Sequence, residues 1–90
     1  MIDNRTIEEV KQRLDIVEVI GDFVQLKKSG ANYKALSPFV DEKTPSFFVS
    51  PSKEIFKCFS SGKGGDAISF VMEHDGLSYL EAIKYIADKY

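Results

Sequence analysis

Residues 37–65 read SPFVDEKTPSFFVSPSKEIFKCFSSGKGG, and the reading of this stretch decides the fold. It contains two knuckle-like turns, Ser37-Pro38-Phe39-Val40 and Cys58-Phe59-Ser60-Ser61, joined by a strand hairpin, with 17 residues between Val40 and Cys58. Each knuckle has two marked positions three apart. Cys or His at all four would make a tetrahedral zinc site. The residues present are Ser37, Val40, Cys58 and Ser61. The spacing is that of a metal-closed ribbon, while most of the ligand chemistry is gone.

Strand patterns continue on either side of the first knuckle. Phe23 to Lys28 alternates apolar and polar residues, Ser29-Gly30-Ala31-Asn32 turns the chain, and Tyr33 to Leu36 returns. Lys34 shares a face with Leu36, and Tyr33 shares one with Ala35. The alternation alone leaves open which face is wet. Phe47 to Ser50 and Ile55 to Phe59 are the next strands, with Pro51-Ser52-Lys53-Glu54 between them. Short turns between consecutive strands predict an antiparallel sheet. Asp41-Glu42-Lys43-Thr44, bracketed by Pro38 and Pro45, reads as a polar loop.

Helices are predicted at both ends. Thr6-Ile7-Glu8-Glu9 has the pattern of a capping box, opening a first helix over about 6–14 with Ile7, Val10 and Leu14 on one stripe. Asp15 caps a short second helix that ends near Gly21. Ser60 to Gly65 reads as a glycine-rich loop. Asp66 is a suitable N-cap for a helix carrying Ala67, Ile68, Val71 and Met72 and ending before Gly76. Ser78-Tyr79-Leu80-Glu81 is a second capping box, and Leu80, Ile83 and Ala87 form the expected stripe of the last helix. The whole is predicted to be one α+β domain over residues 1–90, a small antiparallel sheet packed between N-terminal and C-terminal helices.

Composition narrows the class further. A single Cys allows no internal disulfide and suits a reducing, cytoplasmic setting. No run of 18 apolar residues exists, and the N-terminus lacks a signal-peptide layout, so no membrane association is expected. Seven Phe and four Tyr supply core material without a metal. The net charge of −2 hides a division. Residues 24–65 carry seven Lys against three carboxylates, while both flanks are acidic. A basic centre fits a polyanion partner, although strand lysines also protect sheet edges.

Four blocks, LDIVEVIGDFVQLKKSGANYKAL, SPFVDEKTPSFFVSPSK, FKCFSSGKGGDAISFVMEH and LSYLEAIKYIADKY, together cover nearly the whole chain. Through them the sequence resembles the N-terminal zinc-binding domain of bacterial DnaG-type DNA primases. Asp41-Glu42-Lys43-Thr44-Pro45-Ser46-Phe47 is the most specific piece. In that family the knuckles read Cys-Pro-Phe-His and Cys-Phe-x-Cys, so three of four ligands are replaced here. The resemblance implies a zinc-ribbon sheet on helices that helps select and hold single-stranded template DNA for RNA primer synthesis in replication. It implies as partners the primase RNA polymerase domain, which would follow Tyr90, and a replicative helicase. No catalytic residue is expected in this chain. A metal-free scaffold for protein docking is the alternative.

Ligand logic predicts no cofactor. Ser hydroxyls stay protonated near neutral pH, Val40 has no donor, and Cys58 and His74 do not share a knuckle. Val40 is expected to pack with Phe39, Phe59 and Cys58, with Ser37 and Ser61 bonding backbone N–H groups. The candidate DNA-binding residues are Lys27, Lys28, Tyr33, Lys34, Lys43, Phe47, Phe56, Lys57 and Lys63, since cations track the backbone and aromatic faces stack on bases. For Phe47 and Phe56 a place in the core is the favoured competing reading. Gly62 to Asp66 could cradle a phosphate at a helix start, with a plain turn as the favoured competing reading. His74 reads as a helix C-terminal residue facing the dipole, and Cys58 as a buried thiol without a base.

Overall fold

The computed structural model describes residues 4–89, without the side chains of Asn4 and Thr6. Helix α1 spans Asn4–Arg13. Thr6 therefore lies inside the helix rather than at its N-cap. Helix α2 spans Ile16–Gly21 and starts on Asp15, whose carboxylate accepts the N–H groups of Val17 and Glu18.

The strands follow as β1 Lys27–Ser29, β2 Asn32–Ala35, β3 Phe47–Ser50, β4 Ile55–Cys58 and β5 Gly64–Gly65. They pair antiparallel in chain order. Strand β1 begins four residues later than the alternation predicts. The N–H groups of Phe23 and Val24 both donate to Ile20 O at 2.9 Å, which prolongs the end of α2. Strand β5 replaces the end of the expected glycine-rich loop. Gly64 lies opposite Lys57 and Gly65 opposite Phe56, so these backbone groups sit in a ladder rather than in a phosphate cradle. A side chain would not fit at Gly65, where φ is +147° and a Cβ would lie 2.8 Å from that of Ser69.

Helix α3 spans Ala67–Asp75, capped by Asp66, which accepts Ser69 N–H at 2.8 Å, and ends on left-handed Gly76. Helix α4 spans Tyr79–Lys89. Its capping box is reciprocal: Glu81 N–H donates to Ser78 Oγ at 3.3 Å, and Ser78 N–H to Glu81 Oε1 at 2.9 Å. The buried stripe of α4 is Ala82, Ile83 and Ile86. Of the expected stripe Ile83 is buried, while Leu80 and Ala87 are exposed.

Helices from the two ends meet, α2 against α3 and α1 against α4. They close one apolar cluster with Ala35, Phe47, Val49, Phe56 and Cys58 of the sheet. Phe70 is its centre. It lies edge-on to Phe56 with centroids 5.4 Å apart, and 5.8 Å from Phe47. Each buried Phe stabilises the fold by about 2–3 kcal/mol through area alone, so the aromatic centre is a clamp between sheet and helices. No described helix is long and apolar enough to cross a membrane.

Candidate nucleic-acid interface and the knuckles

Burial of Ala35, Phe47, Val49, Phe56 and Cys58 sets the phase of the central strands. Residues paired across antiparallel strands share a face. The register Lys27↔Lys34, Lys34↔Phe48, Phe48↔Lys57 therefore draws one row across four strands on the face away from the core. Three lysines and one phenyl ring occupy that row. Phe59, 68% exposed, stands beside it with its ring edge-on to Phe48 at 5.7 Å. Together with Asn32, Ser50, Ile55 and Lys57 these rings line a shallow depression of about 260 Å³.

The other candidate residues divide. Lys28 and Tyr33 pair on the opposite face at the sheet edge, with the ammonium 5.0 Å from the ring centroid. Lys43 is exposed in the loop after the first knuckle. Lys63 is engaged by Glu73 at 2.6 Å and lies over the Phe39 ring, which leaves its charge locally balanced. Phe47 and Phe56 are 0% and 1% exposed, so no base can reach them and they leave the stacking set. Phe48 and Phe59 are the accessible aromatics instead. Alternation alone requires adjacent Phe47 and Phe48 to point to opposite faces, and the burial of Phe47 with the register puts Phe48 outward beside Lys57.

The knuckles bring side chains together across the hairpin. Ser37 Oγ accepts Phe39 N–H at 3.0 Å and the Cys58 thiol at 3.0 Å. Cys58 Sγ also lies 3.4 Å from Ser60 Oγ. Ser61 Oγ accepts Lys63 N–H at 3.3 Å, as expected for a serine in such a turn. Burial pushes the Cys58 thiol up, but hydrogen bonds with Ser37, Ser60 and Ser61 outweigh it and hold the thiol at about 7. The expected Val40 packing is not formed. The bond from Phe39 to Ser37 turns Phe39 onto Phe47, Phe56 and Phe70, and the next residue, Val40, faces outward at 37% exposure.

Glu42 is the residue that sequence reasoning missed. Its Oε2 accepts the N–H groups of Ser37 at 2.8 Å and Ser46 at 3.1 Å, and its Oε1 accepts Ser46 Oγ at 2.6 Å. The Ser46 hydroxyl, followed by the Ser37 N–H, holds the carboxyl below its ordinary range. Ser46 in turn shares a 2.8 Å hydrogen bond with Ser60 Oγ, and its carbonyl accepts Phe59 N–H at 2.9 Å. His74 is remote in role: it bonds Asp75 and its ring packs on Phe23 and Phe70.

Residues 2–90 match the family model described as CHC2 zinc finger. The chain is 56% identical over 87 residues to the DNA primase of Listeria monocytogenes, covering 97% of this chain and 14% of that protein. It is 54% identical over 89 residues to the DNA primase of Neisseria meningitidis, covering 99% of this chain and 15% of that one. It thus spans about one seventh of the length of these relatives. The crystal structure of the Aquifex aeolicus primase zinc-binding and RNA polymerase domains superposes with a TM-score of 0.90 at 49% identity, over 94% of this chain and 21% of that one. With its antiparallel sheet, paired knuckles and helices at both ends, the chain belongs to the CHC2 zinc finger family.

Proposed function

We propose that this chain is the template-handling module of a DNA primase, holding single-stranded DNA across the outer face of its sheet. Lys27, Lys34 and Lys57 would neutralise successive phosphates, while Phe48 and Phe59 offer ring faces and edges to unstacked bases. The observation that supports this best is the single row of cations and aromatic surface set by strand register. Strands lie about 4.8 Å apart, so the row runs about 14 Å, room for a short run of nucleotides. Lys28, on the opposite face at the sheet edge, and Lys43, exposed in the loop after the first knuckle, stand apart from this row.

The proposed role is non-catalytic. Nucleotide addition would fall to an RNA polymerase domain of the same primase, with this module presenting the template to it. A replicative helicase is the further partner such a primase would meet.

Fluorescence anisotropy of a labelled deoxyoligonucleotide, titrated at several salt concentrations, tests the reading. Three neutralised phosphates on a single strand give a log–log salt slope of about −2. Replacing Lys34 and Lys57 by Ala leaves one such contact and should reduce the slope to about −0.7 and weaken binding at low salt. Absence of salt-dependent binding, or a double variant that binds like the parent, rules the reading out.

A further inference from the structure

The family's description implies a zinc ion between the knuckles, and the residues of this chain do not fit one. Zinc needs four thiolate, imidazole or carboxylate donors in a tetrahedral arrangement. Val40 offers no donor atom. The hydroxyls of Ser37 and Ser61 already accept hydrogen bonds from backbone N–H groups. Among the described residues, no three His, Cys, Asp or Glu side chains converge on a point that could hold a metal. No buried side-chain N or O among them lacks a hydrogen-bond partner, and buried Ser37 has its own in Phe39 N–H and Cys58.

We infer that the knuckles of this chain close without a metal ion, on a hydrogen-bonded relay Ser37–Cys58–Ser60–Ser46–Glu42 in which the Glu42 carboxylate is the hub. The polarity of the clamp is inverted relative to a zinc site. A cation gathers lone pairs from the two loop tips, whereas a carboxylate gathers N–H and O–H donors. Glu42 takes three such donors, two of them from Ser46 just before β3 and one from Ser37 in the first knuckle. Ser46 then engages the second knuckle twice, through Ser60 Oγ and the Phe59 N–H. Cys58 closes the circuit back to Ser37. Beneath it, Phe39 packs on the aromatic centre and fills the base of the knuckle with apolar surface. Charge-assisted hydrogen bonds of this kind are stronger than neutral ones.

The full chain, expressed in zinc-supplemented medium and purified without chelator, is assayed for metal by mass spectrometry and melted with and without EDTA. The expected result is zinc well below one ion per chain and one melting temperature in both conditions. E42A should lower that temperature by about 5 °C or more, and D41A, altering the exposed neighbour, should leave it unchanged. E42Q keeps the shape and one acceptor oxygen and should melt between E42A and the parent, which keeps the test open where E42A fails to fold. One bound zinc per chain, a melt lowered by EDTA, or E42Q melting like the parent overturns the inference. None of these readouts involves DNA, so they are separate from the fate of the proposed function.

Discussion

The Sγ of Cys58 lies 3.0 Å from the Oγ of Ser37, joining two loop tips that are 21 residues apart in sequence. Both residues are buried, Cys58 completely, and the contact sits at the rim of the aromatic core. Replacing Cys58 by Ala removes one weak hydrogen bond and a small buried volume. The expected cost is about 1–2 kcal/mol, read as a shift in the urea midpoint. Loss of a structural zinc would cost about 10 kcal/mol and leave no folded protein, so a cooperative, modestly shifted transition separates the two accounts.

Phe59 and Phe56 are three residues apart and should behave as opposites. Phe59→Ala touches an exposed ring, so stability should hold within about 0.5 kcal/mol. Binding of single-stranded DNA should weaken by about 1–3 kcal/mol, the value of one stacked base. Phe56→Ala empties the core and should cost about 3–5 kcal/mol of stability. Chemical denaturation and anisotropy on the same two variants read both quantities.

Acid should loosen the knuckles through Glu42. Its folded-state affinity for protons is lowered, first by the Ser46 hydroxyl and next by the Ser37 N–H. A depressed carboxyl contributes stability that is fully present above its unfolded value, about 4.3, and is lost as pH falls through the lower folded value. Glu81, lowered by Ser78, adds a contribution of the same sign at the start of α4. The melting temperature should therefore fall as pH drops below about 4.5. E42A should flatten that fall, leaving the part due to Glu81.

Asp66 fixes the start of α3 just after the glycine pair of β5. Asp66→Ala should cost about 1 kcal/mol through the lost cap without altering DNA affinity, since the residue lies beside Lys11 and Leu14 of the helical layer rather than in the Lys27–Lys34–Phe48–Lys57 row. A urea titration alongside the anisotropy assay checks both expectations.

Much of this fold could be read from local chemistry. Asp15, Asp66 and the Ser78–Glu81 pair name three helix starts because each side chain has one obvious use for its oxygen. Where tertiary contacts decide, reading failed. Gly64 and Gly65 have no side-chain pattern to mark a strand, and only pairing with β4 makes them one. Val40 looked like core material, yet the bond from Phe39 to Ser37 gives the inward position to the aromatic neighbour. Ala87 and Leu80 have the composition of a buried stripe, but contact with α1 and α3 selects Ala82, Ile83 and Ile86. The candidate site was half legible. Lysines 27, 34 and 57 were identified, while the phase of Phe47 and Phe48 needed the burial of Ala35 and Cys58.

Amide and aromatic shifts in an NMR titration with a short oligothymidine address the account as a whole. A chain whose knuckles close on hydrogen bonds and whose outer sheet face holds the template should show the largest changes at Lys27, Lys34, Phe48, Lys57 and Phe59, undiminished by EDTA. Changes centred on α3 and α4, or a surface that responds only after zinc is added, would contradict it.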